Sequence, residues 1–291
     1  MQNALDVVFQ RKEEILALRT LSATLFFDTA DAAQVEAVVL ESLQSMLPHA
    51  RWVRIDDMPR NRALNDELSG SIAPTIQKAT ARGKDCFIML DSGDTLDGVG
   101  PWSLKYSCSP SYGDEIVAYV QVHFPCEGGR EPLRVWFEKA TSSAGFLHGY
   151  AGYGVNFDHG ESDRERDRAM RAHCERYRGV MVSDLITEKE NLQRVIKGAQ
   201  WLSFIGRSLL AEHDLAARNL LGESGVRDTG HGVLIQATPE PLLGDTSLGE
   251  DMTAYARVNG MLEPWLVDNL FPLPGFPDED ATRDWLHYLR R

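Results

Sequence analysis

The sequence predicts an α+β fold, a mixed, largely antiparallel sheet (or sheets) with helices packed on the faces. Three observations predict it. Short segments rich in β-branched and aromatic residues recur along the chain, at 21–28, 85–90, 104–108, 115–124, 146–153 and 232–237. Between them, apolar residues fall at helical spacing, most clearly Val35, Val38, Val39, Leu43, Met46 and Leu47. Segments 104–108 and 115–124 are joined by a Pro-Ser-Tyr-Gly turn, which folds them back as an antiparallel pair.

In chain order, residues 1–19 have a helical, charged pattern through Arg11, Lys12, Glu13 and Glu14 and are expected as an N-terminal helix. Residues 21–28 (Leu-Ser-Ala-Thr-Leu-Phe-Phe-Asp) follow as a strand. Thr29 to Asp31 offer a cap for the Val35 helix, which Pro48 ends. Residues 51–55 alternate as a short strand. A weaker helix is expected over 71–82, a buried strand over 85–90, and a Gly- and Asp-rich loop over 91–101. Pro132 suits the first turn of a helix running to about Ser143. Residues 146–153 form a strand interrupted by glycines. Interleaved charges over 161–176 read as a solvated helix. Residues 201–205 are a short apolar run, 214–221 and 250–263 helices, and 232–237 a strand. The tail from Pro264 ends in an amphipathic segment at 282–289. No repeat or flexible linker is visible, so one domain over 1–291 is expected, with helix 1–19 and tail 264–291 as appendages.

Charge narrows the function. Forty-three acidic residues against 30 basic ones give a formal net charge of -13. Affinity for nucleic acid comes largely from cationic groups, so direct binding to it is not expected. An acidic surface suits a basic partner such as a nuclease channel, and it also serves solubility alone. The four cysteines, Cys86, Cys108, Cys126 and Cys174, contain no C-x-x-C pair and are expected as free thiols. The N-terminus has no hydrophobic signal core, and no apolar run approaches the roughly 18 residues of a membrane span. A cytoplasmic protein without membrane contact is expected.

No catalytic, cofactor or metal site stands out. Gly149, Gly152 and Gly154 have the spacing G-x-x-G-x-G, which is not the dinucleotide fingerprint; they fit a strand that another backbone or a large side chain approaches closely. Asp91, Asp94 and Asp97 fall every third residue, unlike the alternate acids of a calcium loop. They read as a solvated turn that could form an acidic contact surface, with Trp102 as an aromatic anchor. No H-x-x-x-H, G-x-S-x-G or P-loop occurs, and no E-x-K pair is set on adjacent strands. Asp158-His159 is the one acid–histidine neighbour in an expected loop and the place where an unrecognised enzyme site would lie.

Several segments carry a family resemblance. They are 146–157 (Phe-Leu-His-Gly-Tyr-Ala-Gly-Tyr-Gly-Val-Asn-Phe), 176–184 (with Tyr-Arg-Gly-Val-Met-Val-Ser-Asp), 196–206 (with Trp-Leu-Ser-Phe-Ile-Gly) and 232–255 (with Leu-Ile-Gln-Ala-Thr-Pro-Glu-Pro-Leu-Leu-Gly-Asp). Together they resemble the TsiV-like type VI secretion immunity family of Gram-negative bacteria, over roughly residues 20–270 and most firmly after Phe146. Arg178 and Met181 depart from that family's usual proline and aspartate. The resemblance implies a cytoplasmic antidote for a co-encoded toxic effector, a nuclease with a basic cleft whose active site is occluded. The matched residues, Trp201, Phe204, Gly206 and Gly244, are core signatures and transfer no interface. Composition instead offers Asp91, Asp94, Asp97 and Trp102; Tyr150, Tyr153 and Asp158; and Asp278, Glu279 and Asp280 as partner-binding candidates. The alternatives are turnover around Asp158-His159, or an adaptor of the secretion machinery.

Overall fold

The computed structural model describes residues 6–290 except 57, 59, 158–162 and 269. In chain order the first half comprises strands β1 (Val7–Arg11) and β2 (Glu14–Phe27), helix α1 (Ala32–Met46), β3 (Trp52–Ile55), β4 (Arg62–Ala63), α2 (Asp66–Arg82), β5 (Cys86–Asp91), β6 (Ser103–Cys108), β7 (Ala118–Phe124) and α3 (Arg130–Ser143). The second half continues with β8 (His148–Phe157), α4 (Arg164–Arg176), β9 (Val180–Met181), α5 (Leu185–Asn191), β10 (Leu202–Gly206), α6 (Arg207–Glu212), α7 (Asp214–Leu220), β11 (Val226–Asp228), β12 (Gly232–Gln236), α8 (Thr253–Met261) and α9 (Glu279–Leu286).

The strands form one 12-stranded sheet in the order β11-β12-β10-β8-β2-β7-β6-β5-β3-β4, with β1 added beside β2 and β9 beside β8. The named pairings are antiparallel except β8 with β9. This is the expected α+β architecture. β2 sits at its centre, pairing Leu21 with Phe124 on β7 and with Tyr153 on β8.

Side-chain alternation sorts β2 between two cores. Leu21, Ala23, Leu25 and Phe27 pack toward α1, α2 and α3, meeting Val35, Val39, Leu43, Ile72, Ile76 and Phe137. The opposite face packs Phe26, Tyr119 and Tyr150 against Met170, Leu185, Leu209, Val258 and Trp285 from the later helices. Each of these apolar side chains gains roughly 1.5–3 kcal/mol on full burial. That second face also carries a buried polar row. Thr20 Oγ1 lies 2.8 Å from His123 Nδ1, and His123 Nε2 lies 2.9 Å from Gln121 Oε1. Gln121 Nε2 then donates to Thr24 Oγ1 at 3.0 Å. Burial, reinforced by Lys105, holds the His123 imidazole pKa well below its ordinary value, so the ring is neutral.

The sheet curls strongly. β8 and β5 are four places apart in the strand order, roughly 19 Å in a flat sheet. Yet Asn156 Nδ2 on β8 donates to Asp91 Oδ2 on β5 at 2.9 Å. Lys105 Nζ on β6 reaches the carbonyl of Phe157 at 2.8 Å. The strand ends thus bend round over the polar row.

Two expectations are corrected. The expected helix over 1–19 is corrected in its described part: residues 7–19 belong to the β1–β2 hairpin, turned at Lys12 with a φ of 54°. Tail 264–291 is not an appendage, because Trp265, Leu270, Leu273, Trp285 and Leu286 are buried in the second core. Helix α2 also starts earlier than expected, at Asp66, where Asn65 accepts from the Leu68 amide at 2.8 Å. The four cysteines are free thiols, with Cys86 and Cys108 directly opposite each other across β5 and β6. Among the described residues, no helix is long and apolar enough to cross a membrane.

Candidate functional site

The close approaches expected at the β8 glycines are present. A Cβ on Gly152 would stand 2.5 Å from Gln200 Oε1, and one on Gly154 would collide with the Ser22 hydroxyl. These close approaches pack β8 against its neighbours.

The Gly- and Asp-rich loop after β5 is tethered on every side. Asp91 Oδ1 accepts from the amides of Gly93 at 2.7 Å and Gly100 at 2.8 Å. Trp52 Nε1 donates to the Gly93 carbonyl at 2.8 Å and Asn61 Nδ2 to that of Leu96 at 3.0 Å. The Val99 amide donates to Ile15 at 2.8 Å, joining the loop to β2. Asp91 is therefore a buried structural carboxylate, 4 % exposed, and not part of a contact surface. Burial pushes its pKa up to about 6, against the opposing pull of Asn156, the two amides and Lys105.

This loop forms one wall of a cleft of about 480 Å³, with β2 and the turn after β7 as the others. Four carboxylates, Asp6, Glu13, Asp94 and Glu127, line it beside Arg19 and Arg51. Arg19 is spent on Asp6 at 2.8 Å, and Arg51 pairs with Asp94. Glu13 and Glu127 are exposed and have no ion pair among the described residues. Trp102 lines the cleft half-buried, its ring stacked on His49 at 3.8 Å with 8° between planes, and tilted against Phe124. Asp97 is exposed on the same loop, outside the cleft lining.

Cys126 also borders a second cleft of about 390 Å³, walled by Tyr153, Arg130, Glu131 and Glu240. The two clefts share Cys126 as a lining residue, and across this grooved face as a whole carboxylates outnumber cations. Arg130 pairs with Glu240 and Glu131 with Arg134, so the groove's cations are already neutralised from within.

The remaining candidates separate. Tyr153 lies in the groove, but Tyr150, three residues away on the strand, points to the opposite face. Tyr150 is buried, with its hydroxyl 2.6 Å from Ser183 Oγ and 3.0 Å from Glu188 Oε2. It is corrected from a surface contact to a core residue. Asp278, Glu279 and Asp280 are exposed at the start of α9 and line neither cleft. There Asp278 caps the helix by accepting from the Ala281 amide at 2.8 Å, and Asp280 pairs with Arg283. Asp158 and His159 lie outside the described residues. Sequence reasoning missed Asp6, Glu13, Arg19, Arg51, Glu127 and Glu240. The signal that could have found some of them is the polar run Arg11 to Glu14, which separates two apolar segments. Among the described residues, no group of three or more His, Cys, Asp or Glu is placed to hold a metal ion.

The family model described as TsiV, type VI immunity for VRR-NUC, matches residues 44–289, well over half of the chain. The chain belongs to the TsiV family. Its core signatures behave as family signatures should: Trp201 and Phe204 are fully buried. Gly244 holds a φ of 67° where a Cβ would lie 2.8 Å from the Gly179 amide. The TsiV-family fold is similar to a solved Pseudomonas aeruginosa T6SS protein, PA0821, with a TM-score of 0.78 at 18 % identity. That similarity covers 98 % of this chain and 86 % of the other. No curated protein matches this TsiV-family sequence.

Proposed function

We propose that this protein binds a co-encoded type VI secretion effector carrying a VRR-NUC nuclease and neutralises it by covering its active site, without turnover of its own. Membership of a family described as type VI immunity for VRR-NUC carries this reading. The groove supports the mode. A nuclease channel is basic because it holds phosphates. A groove whose own cations are neutralised internally, and which offers Glu13 and Glu127 outward, complements such a channel. Asp94, Asp97, Trp102 and Tyr153 belong to this face, and Asp278, Glu279 and Asp280 would extend the acidic field that meets the effector in the cytoplasm. A specific complex of this kind buries about 1,200–2,000 Å² in total.

The test is co-purification with the product of the adjacent gene, followed by a nuclease assay with increasing amounts of this protein. Nuclease activity should vanish at about one equivalent, the stoichiometry of a tight one-to-one complex. A neighbour that neither binds nor is toxic sinks the proposal. Binding to a secretion component whether or not the effector is present would favour an adaptor instead.

A further inference from the structure

Leu248 is 82 % exposed, more than Tyr112, Val135, Leu221 or Phe271, the other large exposed hydrophobics. An exposed leucine is ordinary when it stands on a loose loop. This one does not. Asp245 organises the turn beneath it: its carbonyl accepts from the amides of Leu248 at 3.1 Å and Glu250 at 3.2 Å. Its Oδ1 accepts from the Ser247 amide at 2.9 Å and hydroxyl at 2.6 Å, and its own amide donates to Glu250 Oε2 at 3.0 Å. Arg176 Nη2 donates to Asp245 Oδ2 at 3.1 Å.

The same turn is tied to the groove. Tyr177 bridges to Asp245, and two guanidiniums approach its ring, Arg176 at 4.8 Å and Arg19 at 5.3 Å from the centroid. Arg19 is a wall of the first cleft. Glu250 and Asp251 stand exposed beside Leu248. The apolar tip therefore stands on a hydrogen-bonded turn beside two exposed acids, and that turn connects through Tyr177 to Arg19 of the first cleft.

We propose that Leu248 is the apolar anchor of the interface, inserting into a nonpolar socket rimmed by Lys or Arg on the effector. This rests on the reading that the protein binds that effector. Charge complementarity selects the rim, and the bonded turn removes the ordering entropy that a flexible loop would lose on docking. Leucine is less frequent than Trp, Tyr or Arg among such anchors, and it is the pre-organised turn that suits this one to the role; loss of an anchor is read mostly in koff.

The experiment is association and dissociation kinetics of the full chain with the cognate effector. Leu248→Ala should raise koff about 10- to 100-fold with kon and Tm unchanged. Leu248→Lys should weaken binding further, since it sets a cation against a basic rim. Tyr112→Ala, at the opposite end of β6 from the groove, is the control and should leave koff unchanged. A koff for Leu248→Ala within twofold of the unsubstituted value overturns the anchor while leaving the immunity reading standing. No binding by the unsubstituted protein overturns both. Self-association that Leu248→Ala abolishes, with effector binding intact, assigns the residue to a second copy of this chain and overturns the proposal.

Discussion

Asp91 is the residue on which the groove's shape most depends, and its chemistry sets a pH signature. Removing its side chain leaves the Gly93 and Gly100 amides without their acceptor in a buried place, at about 1–3 kcal/mol per unsatisfied group. Asp91→Ala should therefore lower stability and loosen the loop that carries Asp94 and Trp102. The titration runs the opposite way from an ion-paired surface carboxylate. The folded pKa of about 6 lies above the ordinary aspartate value of 3.8, so the fold prefers the protonated acid. Stability from this group is complete below about pH 4 and declines as pH rises through 6, by about 3 kcal/mol in all. In chemical denaturation from pH 4 to 7.5, the stability of the unsubstituted protein minus that of Asp91→Asn should fall across this window. A flat difference would show that burial does not penalise the charge. Asp245 has the reverse sign: hydrogen bonds from Ser247 and Arg176 hold its pKa at about 2, so its contribution is present at neutral pH and lost only in strong acid.

At the scale of elements, α5 shows how a polar pair substitutes for length. Seven residues are too few for an independently stable helix. Glu188, at its centre, is fully buried against Lys197 at 2.5 Å and Tyr150, and Lys197 also donates to the Val182 carbonyl. Breaking one side of a buried pair costs about 3–5 kcal/mol, because the other charge is stranded. Lys197→Met should cost that much in denaturant unfolding, while Glu188→Met with Lys197→Met should cost less than the single change. Equal losses in both would mean that the pair adds nothing beyond packing. These elements were unequally legible. Helices α1 and α3 and strands β3, β5, β6, β7 and β12 follow their apolar patterns closely, because each buries one clear face or is bounded by turn residues. The start of α2 was hidden by Gly70 and Pro74, both helix-disfavouring in isolation, although Asn65 caps it. The N-terminal hairpin was misread because residues 15–18 are apolar on both strand faces, and period alone does not separate such a run from a helix. The candidate site was barely legible. Its carboxylates come from four separated parts of the chain, and whether an aspartate such as Asp91 is surface or staple depends on partners 65 residues away.

For the whole molecule, a net charge of -13 would make encounter with the basic effector proposed above sensitive to salt. Replacing Glu13 and Glu127 together with lysine should slow kon and flatten its dependence on ionic strength, with little change in Tm, since both are exposed. Unchanged kinetics would move the interface away from the groove. The position of β2 has a different consequence, in time. Beyond the β1 hairpin, which covers only its first residues, its neighbours in the sheet are β7 and β8, so Leu21 must find Phe124 and Phe26 must find His148. At a ribosomal rate of about 5–20 residues per second, the longest strand of the chain emerges early and waits on the order of 5–20 s for the first of those partners. During that interval the nascent chain offers an uncovered hydrophobic edge. The step that commits the chain to its folded shape is thus the late arrival of its middle third, and under the proposed function protection would come from copies finished beforehand.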